Sequence, residues 1–187
     1  MRIIAGIFKG RKLETLADDS VRPTADCVRE ALFNVLMHRY THEDGTPLLK
    51  DSMVADIFCG SGALGLEAIS RGAARCLFND TSQQALNIAR HNATKMQCLA
   101  QADFTKGEAA NAPHLPPRTL VFLDPPYNKG LIPPTITALL KRGFFAADAV
   151  IVTETSVTEE LELPLELDLT REYGKSRVQF WRHLAEA

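Results

Sequence analysis

The segment that most constrains the fold is a mostly apolar strand that runs directly into a glycine-containing turn and a helix. Residues 53–58 form the predicted strand, and Gly60, Gly62 and Gly65 follow it with the spacing G-x-G-x-x-G. Glycines at such a turn let the backbone approach a ligand closely, and the helix N-terminus behind them carries partial positive charge. The segment is therefore typical of a site for a nucleotide-like cofactor in an open α/β sheet.

Strand and helix patterns alternate through the following residues. We predict strands at 53–58, 74–79, 98–102, 119–123 and 149–154, and helices at 62–70, 82–95 and 132–142. This alternation indicates a parallel sheet with helices on both faces. The tail differs, because apolar and polar residues alternate from Leu165 to Tyr173 and resume after a turn at Gly174. The tail is therefore predicted to form an antiparallel hairpin at the edge of the sheet.

Residues 1–50 have a different pattern and form an N-terminal extension. A short basic hairpin is predicted from Arg2 to Leu13, and an amphipathic helix follows, with Thr24 as its N-cap. A chain of 187 residues is long enough for one good hydrophobic core and too short for two typical domains. We therefore predict one domain, with the extension at 1–50 and the main body at 51–187.

The composition is that of an ordinary globular chain. Hydrophobic residues make up 45% and charged residues 24%, and no run approaches the roughly 20 apolar residues of a membrane span. The first residues lack the apolar core and cleavage site of a signal peptide. The four cysteines have neither metal-ligand nor redox spacing. We therefore expect a cytoplasmic protein without a metal site or a membrane partner.

Charge is distributed unevenly along the chain. The formal net charge of -2 argues against indiscriminate coating of nucleic acid, but residues 1–12 hold basic side chains and no acid. Residues 143–187 hold four Lys or Arg against nine Asp or Glu. The basic end is predicted to face phosphate groups. The candidate contacts are Arg2, Lys9, Arg11, Lys12, Arg22 and Arg29.

The second informative segment is Asp124-Pro125-Pro126-Tyr127, at the predicted end of the fourth strand. Open α/β sheets bind ligands at this edge. Two consecutive prolines remove two backbone donors, so the carbonyls and the Asp124 carboxylate offer only acceptors, which suits an exocyclic amine. Such hydrogen bonds aim the nitrogen lone pair at an electrophile, and Tyr127 offers a face on which an extruded base can stack. All four residues are predicted to act on a target amine.

Two acids follow the second and third predicted strands. Asp80, 18 residues after Gly62, is placed to accept hydrogen bonds from ribose hydroxyls. Asp103 is placed where its side chain or its amide can reach an adenine edge. Each acid can also be explained as a cap of the segment that follows it. The predicted cofactor site consists of Asp56, Phe58, Gly60, Gly62, Asp80 and Asp103.

Longer stretches of the chain resemble a known family. They are residues 1–6, 10–13, 22–26, 28–34, 56–68, 70–73, Asn92 and 124–127. These stretches are similar to RsmD-type 16S ribosomal RNA (guanine-N2)-methyltransferases, which have the Rossmann-like class I fold and use S-adenosylmethionine. The tetrapeptide is shared with many amino-methyltransferases, whereas the block from residue 22 to 34 is far more particular to this family.

The resemblance implies S-adenosylmethionine as the cofactor and the N2 amine of one guanine in 16S ribosomal RNA as the target. It also implies that the RNA is methylated in the assembled or assembling small ribosomal subunit, with the basic extension in contact with RNA. Two positions depart from the family pattern. Cys27 stands where the family usually has arginine, and Asp80 stands where it more often has glutamate.

Other functions are compatible with the same residues. An adenine-N6 DNA methyltransferase would use the same tetrapeptide, although 187 residues leave little room for a DNA target-recognition domain. A dinucleotide-dependent oxidoreductase would use the glycine spacing, but it leaves the tetrapeptide unexplained. A non-catalytic RNA-binding assembly factor would keep the fold and transfer no methyl group.

Overall fold

The structure is a computed structural model that describes residues 1–15, 26–42, 44–111 and 116–184. Its elements are α1 (Asp26–Arg39), β1 (Met53–Ile57), α2 (Ala63–Ser70), β2 (Arg75–Asp80), α3 (Gln83–Lys95), β3 (Ala102–Lys106), β4 (Arg118–Leu123), α4 (Ile132–Lys141), β5 (Phe145–Ser156), β6 (Glu166–Tyr173) and β7 (Ser176–His183). In these parts of the chain, no helix has the length and apolar character needed to cross a membrane. The predicted N-cap at Thr24 lies outside the described residues.

The seven strands form one sheet in the order β3-β2-β1-β4-β5-β7-β6. Strands β1 to β5 pair in parallel, whereas β7 pairs antiparallel with both β5 and β6. The predicted α/β class, with a mostly parallel sheet and an antiparallel C-terminal hairpin, is confirmed. The returning strand β7 lies inside the sheet because Val178, Phe180 and Trp181 are buried, while β6 forms the half-exposed edge.

Successive side chains of each strand point to opposite faces, so the sheet has a core on each side. On one face, Val54, Phe78 and Phe122 belong to the core that also contains the apolar side of α1, α2 and α3. On the other face, Ile57 and Leu123 pack with the apolar residues of α4. This two-sided burial agrees with the helices predicted on both faces.

Helix α1 crosses the sheet from β4 toward β7. The ring of Phe33 lies 5.6 Å from that of Phe122 in β4, and the ring of Tyr40, just after the helix, lies 5.9 Å from that of Phe180 in β7. Arg39 extends the contact to β6, where it donates two hydrogen bonds to Asp168. The helix of the extension therefore packs on the main sheet.

The predicted N-terminal hairpin is a loop closed by one antiparallel bridge between Arg2 and Lys12. Backbone hydrogen bonds from Ile3 to Arg11 and from Leu13 to Met1 join its two sides, and α2 holds it on the rest of the fold. The carboxylate of Glu67 accepts hydrogen bonds from the amides of Ile4 at 2.8 Å and Ala5 at 3.0 Å. Glu67 has no exposed surface, so the loop covers a buried charge that its own amides stabilise.

The third strand begins four residues later than predicted. The apolar residues at 98–102 favour a strand, but Leu99–Gln101 forms a 3-10 turn and the strand is Ala102–Lys106. β3 is an edge strand and is half exposed, so it needs fewer apolar side chains than the central strands. The predicted position of Asp103, after the strand, is therefore wrong, because Asp103 is the second residue within it.

Candidate cofactor and amine site

The carboxyl ends of β1, β2 and β4 meet at one edge of the sheet. Ile57 of β1 lies beside Asn79 on one side and Leu123 on the other. Asp80 and Asp124 follow those neighbours directly and so come level with the start of the glycine turn. A cavity of about 700 Å³ opens at this edge, which is the size that small-molecule sites have.

Most of the predicted site residues line this cavity. They are Asp56, Phe58, Gly60, Asp80, Asp124, Pro125 and Pro126. Gly62 and Tyr127 lie next to wall residues in the chain and do not line the cavity themselves. The wall also contains residues that sequence reasoning missed. They are Met1, Cys59, Ser61, Ala63, Leu64, Thr81, Glu108, Ala109, Ala110, Leu131, Pro134 and Thr135.

The three glycines of the turn have different roles. Gly60 has a φ of +50°, and no atom lies within 4 Å of where a Cβ would be, so the backbone there is open to a ligand. Gly62 has a φ of +81° and is the N-cap of α2. At Gly65, a Cβ would lie 2.4 Å from the ring of Phe78, so this glycine lets α2 pack closely on β2. Phe58, just before the turn, also has a left-handed backbone, with a φ of 68°.

Asp80 ties the glycine turn to the end of β2. One carboxylate oxygen accepts a hydrogen bond from the Gly60 amide at 2.9 Å, and the other accepts from the Ser82 amide at 2.8 Å. Asp80 therefore acts as a cap, as one interpretation of the sequence held. Each carboxylate oxygen has a second lone pair, so the same side chain can also accept from a ligand in the cavity that it lines.

Asp56 supports the turn from below. Its carboxyl is 2% exposed and accepts a hydrogen bond from the Gly65 amide at 2.9 Å. Burial, with a further contribution from the charge of Asp80, raises the pKa of Asp56 from its ordinary value of 3.8 to about 8. Asp56 is therefore mostly protonated at neutral pH, and its predicted role at the cofactor is reduced to shaping the turn and the cavity wall.

The raised pKa of Asp56 predicts a specific pH dependence of stability. The folded protein binds this proton more tightly than the unfolded chain, so the stabilisation is complete below about pH 4 and is lost as the pH rises through about 8. Between pH 5 and pH 8, the free energy of unfolding should fall by up to about 1.4 kcal/mol per pH unit from this group. Urea denaturation at several pH values measures the slope.

The control for this pH dependence is Asp56→Asn, which cannot ionise and still offers an oxygen to the Gly65 amide. The difference in slope between wild type and this variant isolates Asp56 from the other titrating groups. Equal slopes would show that Asp56 is already ionised at pH 5.

Asp124, Pro125 and Pro126 line the cavity at the end of β4. Asp124 is half-buried at the end of β4, and Pro125 is buried behind it. The hydroxyl of Tyr127 reaches the neighbouring strands, where it donates to Glu154 Oε1 at 2.8 Å and lies 2.6 Å from Ser176 Oγ. The tetrapeptide is thus fixed at one end by β4 and at the other by β5 and β7.

The structure does not bring Asp103 to the cavity. Asp103 pairs with Leu77, three residues before the end of β2, so it lies about 10 Å short of the ligand-binding edge. Its carboxylate accepts two hydrogen bonds of 2.6 Å from Arg75. That guanidinium holds the pKa of Asp103 below its usual range. The expected place at the end of β3 belongs instead to Glu108 and Ala109, which line the cavity.

Four of the predicted basic residues lie on the exposed surface of the N-terminal loop. They are Arg2, Lys9, Arg11 and Lys12. Arg22 lies outside the described residues. Arg29 is different, because its side chain has no exposed surface. It therefore does not belong to the exposed surface that the other basic residues of the predicted RNA-facing set form.

A sequence signal for Arg29 does exist. Leu32, Phe33 and Leu36 are three, four and seven residues further on, which places Arg29 on the same apolar helix face. A charged side chain in the middle of an apolar face is unusual, because arginine is almost never fully buried without a partner. The cavity wall contains Arg29 as well.

The fold and the cavity define a Rossmann-like methyltransferase, with seven strands in this order and a glycine turn beside an acceptor-only segment. The model of the family described as Conserved hypothetical protein 95 matches residues 1–182. The ribosomal RNA small subunit methyltransferase D of Haemophilus influenzae is 34% identical over an alignment of 189 positions, gaps included, that covers 96% of this chain and 91% of that protein. The chain belongs to the family described as Conserved hypothetical protein 95.

Solved structures agree with this assignment. A putative methyltransferase of Escherichia coli has a TM-score of 0.85 at 32% identity, with 100% of this chain and 99% of that chain covered. An RNA methyltransferase from Salinibacter ruber, solved in complex with S-adenosyl-L-homocysteine, has a TM-score of 0.63 over 88% of this chain and 95% of that chain. At 16% identity, this second likeness shows the fold alone.

Proposed function

We propose that this protein transfers a methyl group from S-adenosylmethionine to the exocyclic N2 amine of one guanine in 16S ribosomal RNA. The observation that carries the proposal is that Asp80, the glycine turn and the acceptors from Asp124 to Pro126 line a single cavity. The name of the Haemophilus influenzae relative supports small-subunit ribosomal RNA as the substrate. This RNA is cytoplasmic, in agreement with the compartment expected from the cysteines.

The residues present fit an adenosine-containing cofactor. The open backbone at Gly60 permits close approach, and the Asp80 carboxylate offers acceptors to ribose hydroxyls. The Salinibacter ruber structure supports S-adenosylmethionine as the cofactor, because that protein was solved with S-adenosyl-L-homocysteine, the product that S-adenosylmethionine leaves after methyl transfer. When bound, S-adenosylmethionine supplies an electrophilic methyl carbon, whose bond to sulfur breaks with its electron pair as the amine nitrogen forms the new bond.

Asp124 and the backbone carbonyls beside it orient the amine. The two N–H groups of the guanine N2 donate hydrogen bonds to Asp124 and to one of these carbonyls, which aims the nitrogen lone pair into the cavity. As the nitrogen gains positive charge, the carboxylate stabilises it. The two prolines lack N–H groups and therefore place no competing donor beside the amine. After transfer, the methylated amine releases one proton to water.

Tyr127 is the residue against which we expect the extruded guanine to stack. Tyr127→Ala should reduce activity by about 5- to 150-fold, since base stacking contributes about 1–3 kcal/mol. Tyr127→Phe keeps the ring and should retain most of the activity. It removes a hydrogen bond to Glu154, which is 4% exposed, so unfolding should cost about 1–3 kcal/mol less.

Activity and melting temperature are measured together on both Tyr127 variants. The stacking role predicts that the two properties separate, because Tyr127→Phe should lose mainly stability and Tyr127→Ala should lose more activity than its stability loss explains. If activity falls in proportion to stability in both variants, Tyr127 is a structural residue.

The exposed basic loop is the surface that we expect to bind RNA phosphate. Neutralising Lys9, Arg11 and Lys12 should weaken binding to the small subunit, and the slope of log affinity against log salt should shrink by roughly 0.7–0.9 per lost phosphate contact. Affinity for S-adenosylhomocysteine should hardly change, because none of the three residues lines the cavity.

A matched control removes three exposed charges elsewhere. Replacing Lys141, Arg171 and Lys175 by alanine changes the net charge equally and leaves the N-terminal loop unchanged. If both triple variants weaken binding by the same factor, the effect is one of net charge, and the loop is not the docking surface.

Nucleoside mass spectrometry of ribosomal RNA from cells with and without the gene tests the proposed function. We expect N2-methylguanosine in 16S ribosomal RNA to be lost without the gene, to return with the wild-type gene, and to stay absent with Asp124→Ala. Loss of methyladenine from DNA instead would favour the adenine-N6 alternative. Unchanged modification in all strains would favour a non-catalytic assembly factor.

A further inference from the structure

Arg29 is the cavity residue that the reaction described above does not use. It lies in α1, on the buried face of the helix, and its side chain has no exposed surface. It also lies in the wall of the cavity, together with Met1 and the glycine turn. A fully buried cation beside a ligand cavity requires a physical explanation, because desolvation of a charge is costly unless its hydrogen bonds are satisfied.

The hydrogen bonds of this guanidinium are incomplete. Nη2 donates to the carbonyl of Arg2 and to the carboxylate of Asp26, the latter at 3.0 Å. Nε and Nη1 are buried and have no hydrogen-bond partner among the described residues. Folded proteins rarely leave a buried charged donor unfilled, since the group loses its bonds to water and gains nothing in return. The unfilled N–H groups indicate that a ligand supplies the missing acceptor.

The position of Arg29 indicates which part of the cavity that ligand occupies. Phe33 contacts Phe122 of β4, and from there α1 continues toward β7. Arg29 is one helical turn before Phe33 and therefore lies on the other side of β4, toward β1. β1 ends in the glycine turn, so Arg29 lies on the side of the cavity that this turn forms.

The charges of the wall favour an anion at this position. Arg29 has the only basic side chain among the described residues that line the cavity, whereas Asp56, Asp80, Glu108 and Asp124 carry carboxyl groups. If Asp80 holds the ribose, the amino-acid end of the cofactor extends away from it along the glycine turn. The carboxylate is the anion at that end, and Arg29 is the group that can donate hydrogen bonds to it.

We propose that Arg29 binds the α-carboxylate of the amino-acid end of S-adenosylmethionine, a role that rests on the function proposed above. Its unfilled N–H groups donate to that carboxylate. Met1 shares the wall and is half-buried, and its unbranched side chain can move aside at little cost. A phosphate of RNA is the poorer candidate, because a polymer backbone has to reach a side chain with no exposed surface.

Isothermal titration calorimetry with two ligands tests this assignment. One is S-adenosyl-L-homocysteine, and the other is its decarboxylated analogue, which keeps the adenosine, the thioether and the amine. Wild type should bind the first more tightly by about 10- to 150-fold, the range of one charge-assisted hydrogen bond. In Arg29→Met this ratio should fall to near one, while affinity for the decarboxylated analogue stays close to that of wild type.

Arg118→Met is the matched control. Arg118 is also buried, at 1% exposed, and its Nε and Nη1 also lack partners among the described residues. It lies at the start of β4, the opposite end of the strand from Asp124, and does not line the cavity. Arg118→Met should therefore keep the wild-type ratio of affinities, whatever it does to stability.

The outcomes separate the two proposals. If neither ligand binds wild type, the cofactor of the proposed function is wrong, and the assignment of Arg29 to its carboxylate is overturned as well. If wild type binds S-adenosyl-L-homocysteine but the ratio is near one, or persists in Arg29→Met, only the assignment of Arg29 is overturned. A persisting ratio with weaker small-subunit binding would assign Arg29 to RNA phosphate. If Arg29→Met does not fold, the wild-type ratio and Arg29→Gln decide.

Discussion

Replacement of Asp124 by alanine is expected to slow methyl transfer by about 100- to 1,000-fold in single-turnover experiments, the loss typical of one preorganised group at a developing charge. Asp124 is half-buried at the end of β4 and faces the cavity. Its carboxylate matters most as the attacking nitrogen gains charge, so affinity for S-adenosylhomocysteine should change little. Rapid-quench kinetics with the small subunit and calorimetry with the product measure the two quantities.

Asp103→Ala is the matched control for Asp124→Ala. It removes a carboxylate from β3, where Asp103 pairs with an exposed arginine, away from the cavity. The methyl-transfer rate and cofactor affinity should both stay at wild-type values, and stability should fall by about 0–1 kcal/mol. A wild-type rate in Asp124→Ala would show that the tetrapeptide does not act on the target amine. A slow Asp103→Ala would show that β3 contributes to the site.

Replacement of Gly6 by alanine is expected to destabilise the protein by about 3 kcal/mol or more, from steric overlap and backbone strain together. The φ of Gly6 is +81°, and an added Cβ would lie 1.8 Å from the carbonyl oxygen of Ser70. That oxygen accepts a hydrogen bond from the Ile7 amide at 2.8 Å. Alanine therefore has to separate the N-terminal loop from α2 and leave the buried Glu67 carboxylate without two amide donors.

Gly10→Ala distinguishes crowding from backbone strain. Gly10 has nearly the same φ, +83°, but no atom lies within 4 Å of its Cβ position. Its replacement should cost only about 1 kcal/mol, the penalty of a left-handed alanine. Urea denaturation gives both values, and hydrogen exchange at the Ile4 and Ala5 amides reports separation of the loop. Equal losses in the two variants would mean that contact with Ser70 does not hold the loop.

Local patterns predicted the central strands well because those strands are buried on both faces. β1 and β4 are short apolar runs, and their observed ends differ from the predicted ones by one residue. Edge strands were harder. β3 contains Asp103 and Thr105 and is half exposed, so an apolar run before it gave the stronger strand signal. As a result, Asp103 was predicted to follow the third strand, whereas it lies within that strand.

Charged residues on apolar helix faces are the second feature that local patterns did not resolve. Glu67 and Arg29 are both in sequences that predict buried helix faces, and both side chains have no exposed surface. Glu67 is satisfied by amides more than 60 residues away in the chain. Arg29 lies beside a cavity that contains residues from several distant segments. A local pattern marks such residues as unusual but does not identify their partners.

The amino-acid sequence by itself determined the fold class, the glycine turn, and the acceptor-only segment at the end of β4, because each depends on residues that are neighbours in the chain. Only the tertiary structure decided that β7 lies inside the sheet, that Asp103 lies away from the cavity, and that Arg29 lines it with unfilled N–H groups. These features depend on strand register and helix packing between distant segments. Such contacts are selected by the free energy of the whole core, which no local pattern contains.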